Sequence, residues 1–239
     1  MAASSVPHVV LVHGAWHGAW CWAALQSELD RLGVPSLALD LPGHGASLEP
    51  LADLAADAAL VTGVLSRIDG PVVLVGHSYG GAVITEASDT ASNVAHLVYV
   101  AAFVPDVGET VIGMSQTLPP AESLLSKAMV VDGVTSTVVP ELAHGAFYGH
   151  CDPTASATFT ARLSAQPFAT FTQPLTAAGW KSIPSTYIRC TDDQAIPIIQ
   201  QDEMAKRCTT IETLDTDHSP FASMPAETAG IIAAIARSM

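Results

Sequence analysis

Short apolar runs alternate with longer mixed stretches through the first hundred residues. His8–Val12, Ser36–Asp40, Pro71–Val75 and His96–Val100 are rich in Val and Leu and bounded by Gly, Pro or Asp. Runs of that length and composition predict strands. Between them, Trp20–Leu32, Leu51–Ile68 and Gly80–Asp89 predict helices. The strand runs are apolar at nearly every position rather than at alternate ones, the mark of a parallel sheet covered on both faces. Ser185–Arg189 and Thr210–Leu214 predict two late strands, and Ile198–Lys206 and Pro225–Arg237 two late helices. The whole reads as an α/β fold with a mostly parallel sheet.

The stretch 104–180 breaks this rhythm. It holds Pro105, Pro119, Pro120, Pro140, Pro153, Pro167 and Pro174, and the aromatics Phe147, Tyr148, Phe159, Phe168 and Phe171. A single crossover helix needs far less chain, so the stretch reads as a mostly helical cap inserted between the strands near 96–103 and 185–189. A second domain or a long functional loop are the alternatives. The expected organisation is one domain, 1–239, with core 1–103 and 181–239 and cap 104–180.

Composition narrows the class. Of 239 residues, 49% are hydrophobic and only 13% charged, against a usual charged share of about 25%. That excludes a disordered chain. The longest apolar runs, Leu97–Pro105 and Ile231–Ala236, fall well short of the ~20 residues of a membrane span. The formal net charge is −14, which repels nucleic acid and anionic membranes. The partner implied is a small molecule, and a homodimer is the assembly left open. Cys21, Cys151, Cys190 and Cys208 form no CxxC pair, so they read as buried free thiols rather than metal ligands or a redox couple. Met1–Ser5 lacks a basic segment followed by an apolar one, which reads as no secretion signal and a cytoplasmic protein.

The chemistry is concentrated in Gly76-His-Ser-Tyr-Gly80, which follows a predicted strand and opens a predicted helix. This is the strand–turn–helix context of a nucleophile elbow. The glycines are required because side chains on either side of so sharp a turn would clash. Ser78 is thus the candidate nucleophile. The amide of Tyr79 lies at a helix N-terminus, where N–H groups lack partners and favour an anion. Serine needs a base, and in such an elbow fold the acid and then the histidine follow the serine in the chain. Of nine histidines, only His218 lies beyond the last strands, making it the candidate base. The acid falls in Cys190-Thr-Asp-Asp-Gln194, where Asp192 and Asp193 both qualify, with Asp106 a remote alternative. His13-Gly-Ala-Trp16 supplies a second oxyanion donor, the Ala15 amide, beside that of Tyr79. His13, His77, His44 and Ser47 read as structural supports of these loops.

The chain resembles the α/β-hydrolases of the hydroxynitrile lyase and plant methylesterase branch, and within it most resembles bacterial carboxylesterases of the pyrethroid-hydrolase type. Leu11–Trp22, Gly76–Gly81, Cys190–Pro197 and Asp215–Phe221 carry the likeness. The resemblance implies an α/β-hydrolase fold and makes Asp193 the acid, since in the family pattern it is the second residue after the Thr. It also implies hydrolysis of small to medium apolar esters through an acyl-enzyme on Ser78, with no cofactor and no metal. Trp16, Phe103, Phe147, Tyr148 and Phe221 are the expected substrate contacts, and Trp20 and Trp22 are expected to help make the pocket greasy. Hydroxynitrile lyases carry Thr after the first-loop histidine and Lys after the catalytic one. Here these positions are Gly14 and Ser219. A lyase or a non-catalytic ligand-binding protein are the competing readings.

Overall fold

The computed structural model describes residues 6–239; the N-terminal stretch read for a secretion signal lies outside the described residues. Among the described residues nine strands are formed: β1 (His8–Val12), β2 (Ser36–Leu39), β3 (Val72–His77), β4 (Val94–Val100), β5 (Met129–Val131), β6 (Thr135–Val138), β7 (Gln166–Pro167), β8 (Ser185–Cys190) and β9 (Thr210–Leu214). Six of them build a central sheet in the order β2-β1-β3-β4-β8-β9, and every neighbouring pair in it is parallel.

The apolar runs are explained by cover on both faces. Val10, Val12, Leu74, Leu97 and Tyr99 point into one core, shared with helices α2 (Leu54–Leu65) and α3 (Gly80–Ser88). Val9, Leu11, Val73, Val75 and Val98 point into the other, packed on α1 (Ala23–Arg31) and the C-terminal helix Pro225–Arg237. The central β3 is buried throughout, whereas β9 at the edge is exposed over its first four residues. Helix α2 begins three residues later than its hydrophobic pattern suggests, because Asp53 caps it, its side chain accepting from the Ala56 amide. The predicted Trp20–Leu32 helix is split into a 3₁₀ turn, Ala19–Trp22, and α1.

Register places the loops. Val12 of β1 pairs with Gly76 of β3, so the His13–Trp16 loop and the Ser78 turn leave the sheet side by side. Cys190 of β8 pairs with Leu214 of β9, so the loops carrying Asp193 and His218 also emerge together. All four open at the C-terminal ends of the strands, where open α/β sheets bind ligands.

Between β4 and β8 lie α4 (Val111–Thr117), α5 (Leu124–Ala128), α6 (Pro140–Phe147), α7 (Pro153–Thr160) and α8 (Ala169–Thr172). Two of the prolines that break the rhythm start helices: Pro140 and Pro153 each occupy a first turn, where a missing N–H costs nothing. The segment is not all helix, however. β5, β6 and β7 form a small antiparallel sheet, too short to register as a hydrophobic period. After β8 come α9 (Ile198–Ala205), α10 (Pro220–Ser223) and α11 (Pro225–Arg237). No described helix is long and apolar enough to cross a membrane.

Candidate active site

Ser78 has a φ of 53°, a left-handed backbone that serine keeps only under constraint. The constraint is visible. The Ser78 amide donates to the Val100 carbonyl at 3.2 Å, and the Ser78 carbonyl accepts from Phe103 at 3.1 Å. A Cβ on Gly76 would stand 2.5 Å from the Gly80 carbonyl, and one on Gly80 would stand 2.6 Å from those of Val12 and His13. Only glycine lets strand, turn and helix approach this closely. Ser78 is left at the floor of a cavity of about 240 Å³.

Asp193 Oδ2 lies 2.7 Å from His218 Nδ1, with both side chains shut off from solvent. Burying a carboxylate demands donors, and Asp193 has them: the amides of Ala195 and Ile196 at 2.7 and 2.8 Å on Oδ1, and Gln201 Nε2 at 2.9 Å on Oδ2. Gln201 projects from α9 and also bonds the Cys190 backbone, so it ties the acid to the end of β8. Sequence reasoning missed it, and a glutamine inside a helix carries no signal of that role. Asp192, one residue away, turns outward and pairs with His150 at 2.7 Å on the surface. Asp106 pairs with Lys181, which holds its half-exposed carboxyl below the usual range through their hydrogen bond.

The first loop is held by imidazoles. The Leu41 amide donates to His13 Nε2 at 3.1 Å, so the His13 proton sits on Nδ1 and is given to the Gly14 carbonyl at 2.8 Å. In a trans peptide the N–H points opposite to the C=O, so this bond aims the Ala15 amide away from His13. Among the described residues the amides of Ala15 and Tyr79 donate to no protein acceptor, and both residues line the cavity with Ser78. Burial pushes the His13 imidazole down to about 3, with His44 adding to the effect, so His13 is a neutral support. His77 Nε2 donates to the His218 carbonyl at 2.8 Å, fastening the base loop to the residue before Ser78. His44 bonds the Pro42 carbonyl, and Ser47 caps the exposed turn to Glu49.

A buried carboxyl that the sequence did not point out lies beneath. Asp57 on α2 accepts from the Tyr79 hydroxyl at 2.6 Å, and burial pushes its pKa up to about 7.

The cavity takes in Trp16 and Phe103, as expected, together with Phe168, Phe171, Met129 and Leu125. Besides Ser78 and Tyr79 its polar members are Ser115, Ser123, Ser126 and Gln200, and among the described residues no Asp, Glu, Lys, Arg or His lines it. Phe147, Tyr148 and Phe221, expected as substrate contacts, are not at its wall. Phe147 packs edge-on to His17 and beside His218. Tyr148 is buried with its hydroxyl on His17, and Phe221 packs on Trp22 and His77 beneath the base loop. Trp20 stacks on Phe159 under Arg162 and Trp22 is core, so neither borders the cavity. Aromatic identity predicts burial, and Phe147, Tyr148, Phe221 and Trp22 are buried against protein away from the cavity, with Trp20 half-buried. The cysteines all carry free thiols, but Cys151 and Cys208 are only half-buried.

Comparisons with known proteins point to one family. Residues 9–231 match the pattern of the alpha/beta hydrolase family. The alpha/beta hydrolase nvfD of Aspergillus novofumigatus is 30% identical, with 92% of each chain covered. Methylesterase 7 of Arabidopsis thaliana is likewise 30% identical, with 95% of each covered. The crystal structure of a pyrethroid hydrolase from Sphingobium faniae JZ-2 superposes with a TM-score of 0.83 at 26% identity, over 97% of this chain and 98% of that one. With a family pattern spanning almost all of its length, the chain belongs to the alpha/beta hydrolase family, on the branch that includes the methylesterases.

Proposed function

We propose that the protein is a serine carboxylesterase that hydrolyses small to medium, uncharged carboxylic esters. The observation that carries the reading is the dry Asp193–His218 pair beside a strained serine that opens into an uncharged, aromatic-walled cavity. Relatives named as methylesterases and as a pyrethroid hydrolase support the same chemistry.

Ser78 Oγ attacks the ester carbonyl carbon while His218 takes its proton, and Asp193 steadies the imidazolium. The carbonyl oxygen gains the negative charge and is held by the amides of Ala15 and Tyr79. The tetrahedral intermediate collapses, the C–O bond breaks, and His218 protonates the departing alcohol. Water then gives its proton to His218 and attacks the acyl-enzyme, which releases the acid and restores Ser78. The segment 104–180 serves as a cap: Met129, Phe168 and Phe171 from it face Ser78 across the cavity. The free thiols suit a reducing cytoplasm.

The lyase reading loses ground on geometry. A Cβ at position 14 would stand 2.9 Å from both His77 Nδ1 and Ser78 Cβ, so the threonine that lyases carry there has no room. Ser219 places no cation beside His218.

Short-chain p-nitrophenyl esters test the reading. The wild-type protein is expected to hydrolyse them, and Ser78→Ala to lower kcat by a factor on the order of 10⁵ to 10⁶. Turnover surviving in Ser78→Ala, or rapid cyanide release from mandelonitrile, overturns it.

A further inference from the structure

One four-residue turn, Tyr148–Cys151, reaches three of the four loops of the catalytic machinery. It joins α6 to α7 and is closed by the Cys151 amide donating to the Tyr148 carbonyl at 2.9 Å. Asp152 directly after it caps α7, accepting from the Thr154 and Ala155 amides.

Its first contact is with the oxyanion loop. The Tyr148 hydroxyl lies 2.7 Å from His17 Nε2, and His17 Nδ1 lies 2.7 Å from the Ala15 carbonyl. A carbonyl only accepts, so Nδ1 carries the proton. Burial pushes the imidazole down to about 4, so Nε2 is bare and accepts from Tyr148. The other end of the same peptide is also tied, since the Trp16 amide donates to Gln166 Oε1 at 3.2 Å. Trp16 has a φ of 64°, a conformation that a bulky residue holds only when its surroundings impose it. The peptide following Ala15 is thus pinned at both ends from the inserted segment.

The second contact is with the base loop. The His150 amide donates to Asp217 Oδ2 at 2.8 Å, while Asp217 Oδ1 accepts from the Ser219 amide at 3.0 Å and Ser223 Oγ at 2.8 Å. Asp217 and Ser219 flank His218, so the buried carboxylate grips the loop on both sides of the base. The third contact is with the acid loop, where His150 Nε2 pairs with Asp192, next to Asp193. The first contact is buried and the second rests on the buried Asp217 carboxylate, so losing a partner at either strands a buried polar group. The third is at the surface, where water replaces a lost partner.

We infer that the turn Tyr148–Cys151 is a clasp that sets the geometry of the ester-hydrolase site from outside the reacting atoms, with Tyr148 and Asp217 as positioning residues. The inference rests on the proposed hydrolase reading. Tyr148 acts through His17 on the Ala15 amide that holds the oxyanion. Asp217 acts through the base loop on the placement of His218 against Asp193.

Steady-state kinetics normalised by active-site titration test it. Tyr148→Phe keeps the ring and its packing, and is expected to lower kcat about tenfold with KM within twofold. Asp217→Asn, which presents an amide N–H where both oxygens now accept, is expected to lower kcat about thirtyfold. It should also abolish the far-downfield NMR resonance of the proton between His218 and Asp193. His150→Ala removes the surface pair but keeps the backbone donor, and is expected to stay within twofold of wild type and to keep the resonance. A purely structural role lowers melting temperature and active fraction but leaves kcat per titrated site unchanged, and that result overturns the inference. So does an effect of Tyr148→Phe confined to KM, which would make it a substrate contact. Equal losses in His150→Ala and Asp217→Asn also overturn it. If wild-type protein turns over no ester, the hydrolase reading falls while the clasp is judged on the resonance. Loss in Asp217→Asn alone supports the clasp, and retention there overturns it.

Discussion

The two sides of Ser78 are dry for opposite reasons. In front, the cavity excludes charge by having no Asp, Glu, Lys, Arg or His in its wall among the described residues. Behind, five histidines, His13, His17, His44, His77 and His218, are packed out of solvent with Asp193 and Asp217. Their rings lie close, 5.3 Å between His13 and His44 and 4.5 Å between His77 and His218. Dryness there is tolerable because nearly every polar atom has a partner: a backbone carbonyl fixes one nitrogen of each ring, except on His218, where Asp193 does so. Among the fully buried side-chain atoms of these seven residues, only His44 Nε2 and His77 Nδ1 are left without one. The front can therefore accept varied uncharged groups, while the back tolerates almost no change.

The largest expected effect breaks the back at one carboxylate. Asp193→Asn keeps the shape but presents the wrong hydrogen-bonding pattern to His218, and kcat is expected to fall by about 10⁴. Asp192→Asn, one residue along but half-exposed against His150, is expected to change kcat less than about twofold, the scale of a surface pair. Ester kinetics on both variants check this, and losses of equal size would mean that burial at Asp193 carries no special weight.

The same contrast explains what the sequence revealed. The inner strands of the sheet are legible because burial on both faces writes itself as unbroken Val and Leu runs, and the predicted bounds of β1 coincide with those formed; those of the exposed edge strand β9 coincide as well. The elbow is legible because Gly76 and Gly80 answer a local steric demand. Legibility fails where a role depends on what lies across the fold. Gln201 and Asp217 serve residues on other loops or segments, and nothing local to them announces it. Phe147, Tyr148 and Phe221 are as aromatic as Phe168 and Phe171, yet only the latter two face the cavity. The strands β5–β7 hold two to four residues each, too few for a period to form.

A smaller effect concerns acid. His13 and His17 have folded-state pKa values of about 3 and about 4, lowered chiefly by burial, against about 6.5 unfolded. Below pH 6.5 the unfolded chain binds protons that the folded one refuses, so stability falls with pH. The cost approaches about 1.4 kcal/mol per histidine per pH unit, or about 5 kcal/mol for the two between pH 6 and 4. Asp57 works the other way. Its pKa is raised to about 7 by burial, so from about pH 7 down to about pH 4 the folded state takes up a proton first and gains stability. The histidines outweigh it, and melting temperature is expected to drop from pH 6 to pH 4. Asp57→Asn removes the opposing contribution and should steepen the drop. Thermal melts across that range check both, and a flat profile would show that water reaches the histidine side.

The smallest effect is at the front and concerns sign. A wall without charge has nothing to replace the water stripped from a carboxylate, so an ester bearing a free carboxylate on its acyl chain should enter poorly. Against a neutral ester of equal length, kcat/KM is expected to be at least about tenfold lower, the scale of about 1.4 kcal/mol. Ser126 lies in the wall and is exposed, so Ser126→Lys puts a cation at the mouth without disturbing the buried side. That variant should raise kcat/KM for the carboxylate ester about threefold at low salt and leave the neutral ester unchanged. Because the new charge meets solvent, about 0.5 M salt should erase the gain. Equal gains for both esters would show that the mouth selects by shape and not by charge. A carboxylate ester turned over by the wild type as fast as its neutral counterpart would mean that water, not the uncharged wall, sets the polarity beside Ser78.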